Sequence, residues 1–146
     1  MNRLFLILLT SMILVGCTKS AEEEASSMYL DGKIIVDNNE YNLIHGYYTY
    51  KDETVVAIKL DPFSPMESAN SFDTLIVEKN SEIKIELDKK ATFITVIQLN
   101  EDGRVEEVPL NGNVLTVPAE EGYYVYEVIG KWKNGETTLI FDIDVN

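Results

Sequence analysis

The chain has 146 residues, 45% of them hydrophobic and 25% charged, enough for one domain with a core that needs neither disulfide nor metal to hold it. Against 12 basic residues stand 25 acidic ones, a formal net charge of −13. That balance argues against nucleic acid as a partner, because phosphate binding needs clustered Lys and Arg, and against a polybasic contact with lipid headgroups. Acidity on this scale is otherwise the signature of a solvated surface.

At the N-terminus, Arg3 and the terminal amine precede an apolar run over 4–15, broken only by Thr10 and Ser11. The run is shorter than the roughly 20 apolar residues that a membrane-spanning helix requires, and it has the proportions of the apolar centre of a signal peptide. It ends in Leu14-Val15-Gly16-Cys17, and Cys17 is the only cysteine of the chain. This stretch resembles the lipobox of bacterial lipoprotein precursors. The resemblance implies a signal peptide over 1–16, cleavage before Cys17, and a diacylglyceryl thioether on the Cys17 sulfur. It also implies an address on the extracytoplasmic face of a cell membrane, with palmitate-class acyl chains as the anchor. Residues 18–27, TKSAEEEASS, come next without apolar periodicity and read, with the lipidated Cys17, as a flexible linker over 17–27.

From residue 28 onward the pattern is β nearly throughout, with Val, Ile, Thr and Tyr runs separated by Gly, Asn, Asp and Pro. Strands are predicted over 33–36, 41–44, 47–51 and 54–60, a small β meander. Asp37-Asn38-Asn39 and Asp52-Glu53 supply its turns. Residues 61–72, DPFSPMESANSF, interrupt the pattern: Pro62 and Pro65 bar a central strand, and Ser64 before Pro65 is placed to cap one short helical turn. Seven strands are predicted beyond it, over 75–78, 82–87, 93–99, 104–108, 114–117, 123–131 and 136–145. The sequence leaves open whether 28–72 forms its own subdomain or adds strands to this C-terminal set. The 82–87 segment alternates polar and apolar residues, as a strand with one wet face does. Asn134-Gly135 is a two-residue hairpin signal between the last two strands.

Within 120–126 the order Glu120-Glu121-Gly122-Tyr123-Tyr124-Val125-Tyr126 resembles the tyrosine corner of immunoglobulin-like domains. The resemblance puts Tyr124 in the corner position, with its hydroxyl bonded to backbone a few residues upstream. Tyr126 falls where antibody domains carry their second cysteine, so this is a disulfide-free variant. Parity agrees, since Tyr124, Tyr126, Val128, Gly130 and Trp132 share one face. The inner-strand Trp of antibody domains is absent from 93–99. The expected fold is therefore all-β, an immunoglobulin-like antiparallel β-sandwich over 73–146 preceded by the β meander of 28–72. The hairpin with Gly-Tyr-Tyr, Lys-Trp-Lys-Asn-Gly and a late Phe is also similar to the C-terminal hairpin of uncharacterised bacterial lipoproteins, which implies the same address and fold and no activity.

Little in the chain offers catalytic chemistry. His45 is the only histidine, and no Gly-x-Ser-x-Gly elbow accompanies it, so a hydrolytic triad has no pattern to rest on. One His and one lipidated Cys cannot build a zinc site. Asp37 to Glu40, Asn100 to Asp102, and Asp142 with Asp144 offer hard oxygens, but none has a calcium-loop spacing, and Asp and Asn are ordinary turn formers. No cofactor, metal site or catalytic set is expected. Tyr47, Tyr48 and Tyr50 crowd one segment, and Phe63 and Met66 sit in the long connection; these five are the candidate binding surface, with packing as the competing use of the tyrosines. The expected function is a membrane-anchored, non-catalytic binding or interaction module with an envelope protein as partner. The alternatives are a small-molecule or ion-binding carrier, or an envelope enzyme or inhibitor.

Overall fold

The computed structural model describes residues 29–88 and 91–146; the expected signal peptide, Cys17 and the 18–27 segment lie outside the described residues. Eleven strands and one short helix make up the described chain. They are β1 (Gly32–Val36), β2 (Asn39–Asn42), β3 (Ile44–Lys51), β4 (Val56–Lys59), α1 (Pro65–Ala69), β5 (Leu75–Val77), β6 (Glu82–Leu87), β7 (Phe93–Asn100), β8 (Val105–Val108), β9 (Val114–Thr116), β10 (Gly122–Trp132) and β11 (Gly135–Val145).

Two sheets pack face to face. The smaller runs β2-β1-β6-β9, and the larger runs β4-β3-β11-β10-β7-β8, with β5 added in parallel beside the end of β11. Within 73–146, β6 with β9 opposes β11-β10-β7-β8, the placement that an immunoglobulin-like sandwich gives strands B and E against G, F, C and C′. The first four strands form no separate body: β1 and β2 extend the small sheet beside β6, and β3 and β4 extend the large sheet beside β11.

The core arises from alternation. Tyr124, Tyr126 and Val128 of β10 and Leu139, Phe141, Ile143 and Val145 of β11 face Ile34, Ile83, Ile85, Leu115 and Val117 of the other sheet or its margin. Tyr126 is fully buried and stacks on its cross-strand partner Phe141, ring centroids 4.9 Å apart. Its hydroxyl donates to Gln98 Oε1 at 3.0 Å, and Gln98 Nε2 in turn donates to Asn100 Oδ1 and Glu106 Oε1. Tyr124 donates its hydroxyl to the carbonyl of Glu120 at 3.0 Å, tying β10 to the chain that leads into it. Gly130 is buried where a Cβ would meet Leu30 and Leu87 at under 3 Å, so the missing side chain is what lets the start of the domain lie against β10.

Three boundaries differ from the sequence reading for local reasons. Asp37 and Asn38 both take positive φ, 48° and 64°, as a two-residue type I′ turn demands, so pairing resumes at Asn39 rather than at Tyr41. Asp52 Oδ1 accepts the amides of Thr54 and Val55 at 2.8 and 2.7 Å, which withholds both from the ladder and delays β4 to Val56. The last hairpin closes on Lys133 and Asn134, one residue earlier than Asn134-Gly135, because Trp132 pairs with Gly135. Gly135 itself runs against the backbone of Thr49, where no side chain fits.

Candidate functional site

The large sheet has a second face, turned away from the core. Register places Tyr123, Val125, Glu127 and Lys131 of β10 and Glu136, Thr138, Ile140 and Asp142 of β11 on it. Its centre is covered by α1. Ser64 caps that helix: its hydroxyl accepts the Glu67 amide while Glu67 Oε2 accepts the Ser64 amide, a reciprocal capping box. Pro65 occupies the first helical position. The cap fixes the helix so that Ala69 presses on Val125 and Ile140, with Met66, Ile44, Leu99 and Tyr123 around them.

Of the five candidate binding residues, the structure leaves one mostly exposed. Phe63 is 60% exposed. Met66 is half-buried beneath α1, packed with the helix onto the sheet. Tyr47 bonds Glu136 through its hydroxyl on the outer face. Burial first, and that bond second, push the Tyr47 hydroxyl up to about 12. Burial works against the charge of Glu136, but hydrogen bonds from Lys131 and Tyr47 outweigh it and hold the carboxyl below its usual value. Tyr50 donates to Asp52 Oδ2 at 2.7 Å, and Tyr48 packs its ring 5.5 Å from that of Tyr29. The three tyrosines are thus half-buried and engaged, and they do not form one surface with Phe63 and Met66.

What the sequence reading missed is the edge beside them. Among the described residues, β4 pairs only with β3, and its other backbone edge is open. Val56 is 66% exposed and Ile58 63%, on the same face as Thr49 and Lys51. With Val55, Leu60 and Phe63 they make five of the eight exposed large apolar side chains among the described residues, within nine consecutive positions. The signal was present as Val55-Val56, Ile58 and Leu60 in a strand bounded by turns, but parity alone cannot say which strand ends a sheet.

A second feature lies at the other end of α1. The far edge of β11 passes from β3, which pairs as far as Ile140, to β5, which pairs from Ile143. Asp142 stands in that handover. Its side chain is 1% exposed. Thr74 Oγ1 donates to Asp142 Oδ2 at 2.7 Å, and the Tyr123 hydroxyl hydrogen-bonds the same carboxylate. The carboxylate lines an open cleft of about 600 Å³ with Met66, Asn70, Phe72, Thr74, Glu101 and Tyr123. Burial first, and then its hydrogen bond to Asp142, raise the Tyr123 hydroxyl far above its ordinary value, so it stays protonated.

The remaining sequence candidates sit apart. His45 Nε2 lies 2.7 Å from Asp31 Oδ1, and its ring meets Tyr29 edge-on at 4.9 Å. Asp102 accepts from Arg104 within its turn, and Asp144 is exposed at the end of β11. Among the described residues no three His, Cys, Asp or Glu side chains are gathered for a metal ion, and no helix is long and apolar enough to cross a membrane. No family model, curated protein or solved structure matches the chain.

Proposed function

We propose that the chain is a lipid-anchored, extracytoplasmic binding module, non-catalytic, which holds an extended segment of an envelope protein along the open edge of β4. The observation that carries this reading is that edge itself: unpaired backbone donors and acceptors beside the exposed side chains of Val56 and Ile58. A strand added there would gain main-chain hydrogen bonds, and its alternate side chains would meet the two apolar ones. Soluble monomers usually blunt such an edge with charge or proline, and here Lys59 is the only charged residue of β4. The lipobox-like Cys17 and the acidic linker support the anchored address.

The test has two parts in living cells. Palmitate label is expected on the chain and is expected to vanish in Cys17→Ser; retained label would remove the anchor. A photo-crosslinker at Lys59 is expected to capture one reproducible envelope protein, and capture is expected to fail when Val56→Lys and Ile58→Lys are combined. Equal capture by the double variant would sink the edge as the binding surface.

A further inference from the structure

The ladder between β3 and β4 fixes which backbone groups the open edge offers. Neighbouring antiparallel pairs alternate between those that exchange main-chain hydrogen bonds and those that do not. The Asp52 amide donates to the Val55 carbonyl at 2.9 Å, and the Lys51 amide turns the other way, to the Asn134 carbonyl at 2.7 Å. The bonded pairs that follow are Tyr50 with Ala57 and Tyr48 with Lys59. Val56 and Ile58 therefore point N–H and C=O away from β3, and theirs are also the exposed side chains. Leu60, 77% exposed, repeats the parity one step past the strand. An antiparallel strand laid there exchanges both main-chain bonds opposite Val56 and again opposite Ile58, with its side chains at those positions against the apolar ones.

The charges around this edge are of one kind. Lys33, Lys79, Lys84, Arg104 and Lys131 each hold a carboxylate at 2.6 to 2.8 Å. Among the described residues, Lys51, Lys59 and Lys133 are the basic side chains without one, and all three are exposed. They gather at the edge: Lys59 lies in β4, Lys51 pairs with Val56, and Lys133 adjoins Asn134, which is bonded on both sides to the Lys51 backbone. The acids close by are mostly engaged. Asp52 accepts from Tyr50 and two amides, Asp61 from Ser68 and the Phe63 amide, and Glu136 from Lys131 and Tyr47, which leaves Glu53 in the turn. A chain of net charge −13 thus keeps its unpaired described cations beside its open strand.

Lysines on an edge repel a strand of like charge and admit one that carries carboxylates. A second copy of this chain would add its own Lys51, Lys59 and Lys133 to the same seam. A lipid surface would leave the outward amides and carbonyls of Val56 and Ile58 without partners, which hydrocarbon does not tolerate. A strand satisfies the backbone, the apolar ridge and the lysines together.

We propose that the occupant of the β4 edge is an acidic extended segment of a partner protein, apolar at the positions facing Val56 and Ile58 and carrying Asp or Glu between them and at its ends, toward Lys59, Lys51 and Lys133. The proposal rests on the edge-binding reading given above and adds the chemistry of the partner.

Its test is NMR of the full chain in neutral phosphatidylcholine bicelles with two blocked peptides, one alternating valine with glutamate and one alternating valine with lysine. The glutamate peptide is expected to bind saturably and to slow amide exchange at Val56 and Ile58, with the lysine peptide weaker by about tenfold or more. Lys51→Gln, Lys59→Gln and Lys133→Gln are each expected to weaken the glutamate peptide by about two- to fivefold, the range of exposed ion pairs. Salt at about 0.5 M is expected to remove most of that difference. The two readings fail separately. Equal binding of both peptides at Val56 and Ile58 overturns the acidic partner and leaves the edge as a binding surface, whereas binding of neither overturns both. Slowed exchange at the same amides without peptide, when phosphatidylglycerol replaces part of the phosphatidylcholine, makes the patch a membrane contact and overturns the proposal.

Discussion

Removing a single oxygen, as Tyr126→Phe does, tests the polar knot at the centre of this sandwich. The ring keeps its place: it is fully buried and stacked on Phe141, and phenylalanine fills the same space. The loss is the bond from the hydroxyl to Gln98 Oε1 at 3.0 Å. Gln98 is itself buried, and its amide nitrogen is already committed to Asn100 and Glu106, so flipping the amide would break two bonds and gain none from phenylalanine. Oε1 is therefore stranded without a donor. An unmade hydrogen bond at a buried acceptor costs about 1–3 kcal/mol, and the low end applies where water can still reach the Glu106 side of the cluster. In a domain of this size about 1 kcal/mol moves Tm by roughly 4 °C, so a fall of several degrees is expected. Urea unfolding should show the midpoint shifted with the slope unchanged, because the surface exposed on unfolding is the same. A change inside about 0.5 kcal/mol, the range of inert surface substitutions, would refute the idea that this hydroxyl carries the core's polar contact.

Two further substitutions and one titration probe other parts of the fold. Gly135→Ala forces a methyl group into the backbone of Thr49 where β11 meets β3; a loss of at least about 1–3 kcal/mol is expected in the same urea assay, and a neutral result would show that the two strands separate freely there. Ser64→Ala removes the hydroxyl half of the capping box and is expected to cost about 1 kcal/mol, with amide exchange accelerated at Ser68 and Ala69 and unaltered in β10. The Asp52 carboxyl should titrate at about 2 rather than at its ordinary 3.8, chiefly because Tyr50 donates to it and then because the amides of Thr54 and Val55 do. Its folded value lies below its unfolded one, so its contribution to stability is complete above 3.8 and is lost as pH falls toward 2; a carbon-detected titration with an ordinary midpoint would contradict the turn geometry.

Strand existence was written plainly in this chain, and strand partnership was not. All eleven strands are visible as β-branched and aromatic runs between turn residues, because alternation is a property of a dozen neighbouring positions. The turn chemistry was legible too: Asp37-Asn38, and Ser64 before Pro65 with Glu67 three residues on, each do locally what their side chains allow. What could not be read is which strand ends a sheet. Val56 and Ile58 look like core residues in isolation, and they face solvent because the helix that covers the outer face of the large sheet packs on β3, β10 and β11 and stops short of β4. Asp142 was equally hidden, since the Phe-Asp-Ile-Asp order around it reads as a strand with one wet face. Its burial comes from a helix some seventy residues earlier being laid over that face.

The way the chain enters its folded body has a mechanical meaning. Leu30 is fully buried, and its amide donates to Thr137 Oγ1, so the first described residues are already gripped by β11 before β1 begins. β1 then lies between β2 and β6, antiparallel to both. A pull along the strand axis through the preceding segment enters β1 at Gly32, across the hydrogen bonds that join it to β2 and β6. The pocket that Gly130 leaves for Leu30 is the latch in front of those ladders. A domain fastened in this manner meets a tug from its leading end with the inner strand β1 of the smaller sheet, and the edge at β4, joined through β3 alone, carries none of that load directly.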